Sequence, residues 1–424
     1  VTMTVVQHEG ADAINADGTA DQITFSAAGG ATTINAVASI ESYVLAGATS
    51  ETNTIVVNED NTSVAIDGAN SDDTVVINGL TIDGLYHLGA GTNTVSLGDE
   101  ANIAEAEITA DGGTYELSLD TNAAVTMTVV QHEGADAINA DGAADQISFS
   151  AAGGDTTIHA DADINKYVLS DIPPYLNAPD SFSSIGPDNP PHEGVQNAFD
   201  GTRGAKYLNW DGEGTGIQFS YIAPVAITGF AIATANDEEG RDPSSYEIYG
   251  SDDGSTWSLI STGPLSLPAQ RLSTGPRVTF HNNVAYQDYR IIFPTLKSTG
   301  ESMQIGEISF IANGTPKNTI VVNEDNTSVA IDGANSDDTV VINGLTIDGL
   351  YHLGAGTNTV SLGDEANIAE AEITADGGTY ELSLDTNAAV TMTVVQHEGA
   401  DAINADGTAD QITFSAAGGA TTIN

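Results

Sequence analysis

Nine residues between positions 192 and 242 combine aromatic, imidazole, amide, carboxylate and guanidinium side chains. An aromatic ring can stack on an apolar face of a ligand, and the planar polar groups can form hydrogen bonds to it. These residues lie between short apolar segments, so loops at one end of a β-domain could bring them together. The candidate ligand-binding residues are His192, Arg203, Tyr207, Asn209, Trp210, Asn236, Asp237, Arg241 and Asp242.

Arg241 and Asp242 allow a second interpretation. An arginine beside acidic residues often forms an internal ion pair that fixes a loop, and the run Arg241-Asp242-Pro243 favours neither role.

Catalytic motifs are missing from the sequence. It contains no Gly-x-Ser-x-Gly, no His-Glu-x-x-His and no phosphate-binding loop. His8, His132 and His397 each occur in a repeated Gln-His-Glu-Gly. Because a residue that recurs in every repeat is expected to be structural, we predict that the protein is not an enzyme.

The composition is strongly acidic. Nine Lys and Arg stand against 60 Asp and Glu, which gives a formal net charge of −51. This charge repels nucleic acid and anionic lipid, so we expect neither as a partner.

Cysteine is absent, which excludes disulfides and cysteine-ligated metals. No apolar run approaches the roughly 18 residues of a membrane span.

Internal repeats organise most of the chain. The peptide VTMTVVQHEGADAIN begins at Val1, Val125 and Val390, and residues 53–124 recur without a change as residues 318–389. Within a unit, pairs of short alternating apolar segments recur about every 20 residues, and Gly- and Asp-rich turns separate them. This rhythm predicts a parallel β-solenoid. A β-sandwich of successive hairpins is the competing interpretation.

The second unit is interrupted by a segment of different composition. All 13 prolines and both tryptophans lie between residues 170 and 317, where short alternating strands predict an antiparallel β-sandwich. We therefore predict an all-β chain in three parts. Residues 1–169 are solenoid repeats, with a first unit at 1–124 and a second beginning at 125. Residues 170–317 are the inserted domain with its linkers. Residues 318–424 complete the second unit and start a third at 390.

The insert resembles a known family. The runs NAFDGTRGAKYLNW, SYEIYGSDDGSTW and YRIIFPTLKSTGESMQIGEISF are similar to the discoidin, or coagulation factor 5/8 type C, superfamily. The resemblance implies an eight-stranded jelly-roll sandwich that is commonly a carbohydrate-binding module, with ligand loops at one end. It also implies that Trp257 packs in the core.

Many relatives in this superfamily carry a structural calcium ion near the Asp-Gly turn. The matching positions are Asp200, Thr202 and Glu307. In the alternative interpretation, Asp200 merely starts a turn and Glu307 is a surface strand residue. The acidic solenoid turns are only loosely similar to calcium-binding nonapeptide repeats, because Gly-Gly-x-Gly-x-Asp is absent. A solvated acidic surface explains them equally.

These observations predict an extracellular structural and adhesive protein of a bacterial cell surface, similar to giant bacterial adhesin or fibre proteins. The solenoid rod would display a glycan-binding domain to glycans or extracellular matrix. Since Val1 and Asn424 both fall inside repeats, we expect end-to-end self-association or a longer parent chain. A surface-layer or filament subunit is one alternative, and the non-catalytic region of a secreted polysaccharide-degrading enzyme is another.

Overall fold

The computed structural model describes most of the chain. The described residues are 1–16, 21–26, 32–45, 52–57, 62–68, 70–110, 112–150, 156–169, 176, 178–186, 189–312, 318–322, 326–333 and 336–415. Most of the predicted linker residues on either side of the insert, 170–175 and 313–317, lie outside these ranges.

The solenoid before the insert contains sixteen described strands. They are β1 (Thr2–Met3), β2 (Gln22–Phe25), β3 (Thr32–Asn35), β4 (Ser42–Val44), β5 (Thr52–Val57), β6 (Ala65–Asp67), β7 (Asp72–Ile77), β8 (Leu85–His87), β9 (Thr92–Leu97), β10 (Glu107–Thr109), β11 (Thr114–Leu119), β12 (Ala124–Met127), β13 (Ala137–Asn139), β14 (Gln146–Phe149), β15 (Thr156–His159) and β16 (Lys166–Val168).

The insert contributes the next ten described strands and two short 3-10 helices. The strands are β17 (Ser181–Ile185), β18 (Tyr207–Asn209), β19 (Thr215–Val225), β20 (Ile227–Ala233), β21 (Ser245–Ser251), β22 (Ser258–Pro264), β23 (Val278–Thr279), β24 (Tyr286–Phe293), β25 (Met303–Ile305) and β26 (Glu307–Ala312). The 3-10 helices are Val195–Ala198 and Glu239–Arg241.

After the insert the solenoid resumes. Its described strands are β27 (Asn318–Val322), β28 (Ala330–Asp332), β29 (Thr339–Ile342), β30 (Leu350–His352), β31 (Thr357–Leu362), β32 (Glu372–Thr374), β33 (Thr379–Leu384), β34 (Ala389–Met392), β35 (Ala402–Ala405) and β36 (Gln411–Phe414). Among its described residues the solenoid has three α-helices: α1 (Val5–Glu9), α2 (Val129–Gly134) and α3 (Val394–Gly399).

The solenoid strands stack in parallel, one coil on the next. Sheets run in the orders β1-β2-β4-β6-β8-β10 and β13-β11-β9-β7-β5-β3, and again as β12-β14-β16-β28-β30-β32 and β15-β27-β29-β31-β33-β35. Ile55 pairs with Val75, and Val75 with Val95, which is the predicted rhythm. This parallel pairing confirms the β-solenoid, and the sandwich of hairpins was the wrong alternative.

The stack continues across the insert. Ile158 on β15 pairs in parallel with Ile320 on β27, and Tyr167 on β16 pairs with Ile331 on β28. The coil before residue 170 and the coil after residue 317 are therefore neighbours. The inserted domain does not interrupt either sheet, as is expected for a tolerated insertion.

A short helix that was not predicted from the sequence follows the first strand of each VTMTVVQHEG repeat. Thr128 and Gln131 form a capping box, in which Gln131 N–H donates to Thr128 Oγ1 at 3.1 Å and Thr128 N–H donates to Gln131 Oε1 at 2.8 Å. The spacing Thr-x-x-Gln is the local signal for this cap. His132 is buried and packs edge-on against Phe149 and Tyr167 of the next two coils.

Glu133 contacts His132 and makes this part of the solenoid sensitive to acid. Its carboxylate lies 2.8 Å from Nδ1 of both His132 and His159. Burial alone would raise the pKa of Glu133, but these hydrogen bonds outweigh it and lower the pKa to about 2.

Because the folded pKa lies below the ordinary value, Glu133 stabilises the fold above about pH 4.5, and this contribution is lost as the pH falls toward 2. We expect Glu133→Gln to lower the free energy of unfolding by about 1 kcal/mol at neutral pH. The difference from the parent should shrink as the pH falls toward 2. Denaturant titrations followed by circular dichroism at a series of pH values measure it, and a pH-independent difference would contradict the assignment.

The insert is an antiparallel β-sandwich, as predicted. Its larger sheet has the order β17-β19-β24-β21-β22, and the opposite face is formed by β23-β20-β26 and by β18-β25. Between the sheets Phe219 stacks on Phe310, and Phe230 packs edge-on against Phe310. This core is a cluster separate from the solenoid core, and no strand among the described residues pairs across the two parts. The insert therefore has all the contacts of an independently folding domain.

The helices in the described ranges are short. None of them has the length and apolar character needed to cross a membrane.

Candidate functional site

A groove of about 400 Å³ lies at one end of the sandwich, formed by two loops and the strand β18. It is lined by Pro190, Pro191, His192, Glu193, Lys206, Leu208, Trp210, Asp237 and Arg241. The groove therefore joins an aromatic ring, two prolines and four charged side chains, which is the mixed lining expected of a saccharide site.

Four of the predicted ligand-binding residues meet in this groove: His192, Trp210, Asp237 and Arg241. Trp210 directly follows β18, where Asn209 pairs with Met303 on β25. The paired strand fixes the backbone, while the Trp210 side chain is 54% exposed. An indole held by a strand end and open to solvent is the kind of platform on which a sugar ring stacks.

Buried side chains inside the domain hold the backbone of the loop that carries Asp237. Gln304 Nε2 donates to the carbonyls of Asp237 and Glu238 at 2.7 and 3.0 Å. Arg271 Nη1 donates to the Asp237 carbonyl at 3.1 Å. Glu238 adopts a φ of 23°, a strained conformation for a residue with a side chain. These contacts hold the Asp237 carboxylate at the groove without using its oxygens.

Lys206 and Arg241 place positive charge on either side of Asp237. Lys206 is buried, and its Nζ lies 2.6 Å from Asp237 Oδ1 and 3.7 Å from Glu193 Oε1. Arg241 Nη1 lies 3.9 Å from Asp237 Oδ2, and Arg241 Nε lies 3.7 Å from Glu301 Oε2. Arg241 Nε is shielded from solvent and makes no hydrogen bond within the described part of the chain.

Tyr207 and Asn209 support the groove from inside the domain. Both are fully buried. Tyr207 Oη donates to the Gly216 carbonyl at 3.0 Å, and Asn209 Nδ2 donates to the Gly186 carbonyl at 3.0 Å. Asn236 is exposed on the loop beside Asp237 and does not line the groove. The structure does not bring these three predicted residues to the groove surface.

Asp242 is the residue for which the internal ion pair is observed. It is fully buried and accepts two hydrogen bonds from Arg271, at 2.8 and 2.6 Å. Lys297 Nζ lies 3.1 Å from the same carboxylate. The partner of Asp242 is therefore the distant Arg271 rather than the adjacent Arg241, and the ion pair anchors the end of the groove loop.

Arg203 lies away from the groove. Its guanidinium donates to the backbone carbonyls of Asp83 and Glu105 in the solenoid. Arg203 is thus brought to the contact between the insert and the rod, and not to the other candidate residues.

The predicted position of Trp257 was wrong. It was expected in the core, but it is only half-buried and is not part of the core cluster. The Arg290 guanidinium lies 4.8 Å from the Trp257 ring centroid and 4.4 Å from that of Tyr249, on the surface of the larger sheet. A cation–π contact therefore holds this indole at the surface.

Lys206, Arg271, Lys297 and Gln304 shape the site but were not among the predicted residues. Basic residues are few in this chain, and most lie in the insert. The rarity of basic residues was the available signal that Lys206, Arg271 and Lys297 have specific roles. Their partners are distant in sequence, so the pairs themselves were not accessible without the fold.

The residues predicted for calcium lie at a different corner. Thr202 N–H and Oγ1 donate to Asp200 Oδ1 at 2.9 and 3.0 Å. Glu307 Oε2 is buried and makes no hydrogen bond to any described residue. Burial and the nearby Asp200 carboxylate raise the pKa of Glu307 to about 8. No group of three or more acidic, histidine or cysteine side chains that could hold a metal occurs in the described ranges.

A hard cation nevertheless fits this corner. Two carboxylates close enough to repel each other, one of them with an orphaned oxygen, are the oxygen ligands that calcium prefers. The Thr202 hydroxyl and backbone carbonyls of the same turn are further oxygen donors of the kind such a site uses.

Comparisons with known proteins were made for the whole chain. A search of curated proteins found no match. Among solved structures, a CBM32 module from Clostridium perfringens in complex with GalNAc-β-1,3-galactose is 16% identical, and the match covers 31% of this chain and 93% of that one with a TM-score of 0.26. The family 32 module of NanJ from C. perfringens, in complex with galactose, is 14% identical over 30% of this chain and 92% of that one, with a TM-score of 0.26.

A third similar structure is the CBM32 of AlyQ in complex with 4,5-unsaturated mannuronic acid. It is 16% identical over 31% of this chain and 95% of that one, with a TM-score of 0.26. The family model of the F5/8 type C domain matches residues 181–308, which include all of β17–β25 and the groove. Residues 181–308 of this chain are an F5/8 type C domain inserted into a β-solenoid.

Proposed function

We propose that the F5/8 type C domain binds a glycan in the groove formed by His192, Trp210, Asp237 and Arg241. The observation that carries the proposal is the combination of an exposed indole with a rigidly held polar loop. Trp210 is 54% exposed although the strand before it is buried. An exposed tryptophan beside polar side chains that the fold holds in place is the combination expected of a saccharide site.

The groove supplies complementary contacts to a pyranose. Trp210 offers a ring face to the axial C–H groups of the sugar. Arg241 lines the groove with a guanidinium that can donate hydrogen bonds, and Asp237 lines it with carboxylate oxygens that can accept them from hydroxyls. Lys206 neutralises the negative charge of Asp237, so the carboxylate favours a neutral ligand over a cation.

Substitution of Trp210 tests this proposal. We expect Trp210→Ala to weaken glycan binding by at least about tenfold, because the stacking surface is lost. Trp257→Ala is the matched control, since it removes the only other tryptophan from a different face, and binding should stay within about twofold.

A glycan array followed by calorimetry of the hits measures both variants. Galactose, GalNAc-β-1,3-galactose and unsaturated mannuronic acid are the first probes, because the similar modules were solved with them. Equal loss in both variants, or none in either, would count against the groove.

We also propose that Asp200, Thr202 and Glu307 hold a structural calcium ion. The ion would neutralise two carboxylates that otherwise repel each other and tie the turn at residue 200 to β26. We expect saturating calcium to raise the melting temperature of the insert by about 5 °C over the chelated protein.

Glu307→Gln should abolish this response, whereas Glu301→Gln, on the exposed loop before β25, should keep it. Differential scanning calorimetry with calcium and with chelator measures the shift. Identical melting of the parent protein in both conditions would exclude the site.

At the level of the whole chain, we propose a non-catalytic, extracellular adhesive protein of bacterial origin. The solenoid acts as a stiff acidic rod, and the F5/8 type C domain presents the groove to glycans or extracellular matrix. The rods associate end to end through strand edges of the solenoid.

Two other functions remain as candidates: a surface-layer or filament subunit, and a non-catalytic region of a secreted polysaccharide-degrading enzyme. Glycan binding that depends on Trp210 favours the adhesive function over the first. Imaging of the native particle separates a filament or lattice from a dispersed protein.

A further inference from the structure

The insert docks on the first solenoid unit through a small set of polar contacts. Arg203 donates to the backbone carbonyls of Asp83 and Glu105. Ser273 Oγ donates to the Asp83 carboxylate, and the Arg277 guanidinium lies 3.9 Å from Glu105. Basic and hydroxyl side chains of the insert thus meet an acidic edge of the rod beside β8 and β10.

The same edge is present a second time in this chain. Residues 53–124 and 318–389 are identical, so Asp83 and Glu105 recur as Asp348 and Glu370. The local structure recurs with the sequence. Ser63 Oγ donates to Asp83 Oδ1, and Ser328 Oγ donates to Asp348 Oδ1 in the same way. We call the edge at residues 63–107 the first docking surface and its copy at residues 328–372 the second docking surface.

The two surfaces differ in what covers them. Leu85 is 5% exposed, whereas Leu350 at the identical position is 46% exposed. The polar positions show the same change. In the first surface Ser63, Asp83, Glu105 and Glu107 are half-buried, and in the second Ser328, Asp348, Glu370 and Glu372 are exposed. The two surfaces have the same sequence, and the insert contacts the first one at Asp83 and Glu105, so the docked insert accounts for the difference.

We propose that the second docking surface binds the F5/8 type C domain of a second copy of this chain. The occupant follows from identity, because a surface with the same residues in the same fold already holds this domain on the first unit. Charge supports the same partner. Arg203 and Arg277 belong to the nine basic residues of a chain with a net charge of −51, and both face acidic loops of the rod.

The stoichiometry decides how the surfaces are filled. Each chain has one insert and two docking surfaces, and the structure places that insert on the first surface of its own chain. The second surface is therefore left to a domain in trans. A domain bound in this way connects two rods side by side, which is distinct from the end-to-end association proposed above.

A cysteine-pair experiment tests the inference, and the chain contains no cysteine that would interfere. The isolated insert, residues 170–317, carries Ser273→Cys, and the full chain carries Asp348→Cys. Under mild oxidation we expect a disulfide-linked adduct of one domain per chain. Arg203→Ala in the isolated insert should reduce the yield about tenfold, because two charge-assisted hydrogen bonds are lost.

Two controls make each outcome decisive. Asp364→Cys places a cysteine on an exposed turn of the second unit outside the docking surface, and its yield of adduct should be about tenfold lower.

The second control is a full chain that carries both Ser273→Cys and Asp83→Cys, which should form an internal disulfide. If the internal disulfide forms and the adduct at position 348 does not, the second surface does not bind the domain. If the internal disulfide fails, the docked geometry is absent and the inference falls with it. Equal adducts at positions 348 and 364 would also overturn it.

Discussion

Asp242→Ala is expected to lower the free energy of unfolding of the insert by about 3–5 kcal/mol, which is the largest effect we predict for one side chain. The Asp242 carboxylate is fully buried and is held by Arg271 through hydrogen bonds of 2.8 and 2.6 Å. Its removal leaves the 5% exposed Arg271 guanidinium without its main counter-charge. Because Arg271 also donates to the Asp237 carbonyl, the groove loop should loosen at the same time.

Arg241→Ala is the matched control for this experiment. Arg241 lies one residue earlier on the same loop, but it is only half-buried and its ion-pair distances are 3.7 and 3.9 Å. We expect it to cost less than about 1 kcal/mol of stability. Denaturant unfolding of the isolated insert compares the two. Equal stabilities of the Asp242 and Arg241 variants would contradict the buried ion pair.

Gln131→Ala should destabilise the solenoid by about 2–3 kcal/mol. Gln131 caps α2, and its Nε2 also donates to the carbonyls of Ile103 and Ala106 in the preceding coil, at 2.6 and 2.9 Å. The side chain is buried, so an alanine leaves polar backbone groups without a partner or water. The substitution therefore acts on the contact between coils as well as on the helix.

Gln7→Ala in the first repeat separates these two contributions. Gln7 caps α1 in the same way, with Thr4 N–H donating to its Oε1 at 2.9 Å, but its side chain is exposed. We expect this variant to cost only about 1 kcal/mol, the usual value of a helix cap. Hydrogen exchange at the amides of α1 and α2 measures both effects locally. A loss at Gln7 as large as that at Gln131 would show that the cap, and not the bonds between coils, dominates.

The periodicity of the sequence was sufficient to predict the solenoid. Within each strand, the alternation of apolar residues fixes which face is buried. The constant spacing of Ile55, Val75 and Val95 along the chain fixes the parallel register between coils. The α2 helix was missed because it is a single short turn, and its capping signal is weak among many threonines. Local spacing of this kind is recognised only when the flanking strands are already placed.

The candidate site was predictable only in part. Trp210 and Arg241 were found because their side-chain types are unusual in this chain and lie near turns. Tyr207 and Asn209 also have side-chain types that could bind a ligand, but both are buried on β18, and the inward phase of a strand is not readable from three residues. Arg203 was assigned to the groove because its docking partners, Asp83 and Glu105, are remote in sequence.

The central claim is that the groove at Trp210 binds a glycan, and fluorine NMR of the intact chain tests it most directly. The chain has two tryptophans, so incorporation of fluorotryptophan gives one resonance in the groove and one at the Arg290 stack. Titration with the saccharide probes named above should shift the Trp210 resonance in a saturable way and leave the Trp257 resonance unchanged. A glycan that binds the chain by calorimetry while only the Trp257 resonance moves, or neither resonance moves, would contradict the assignment of the site.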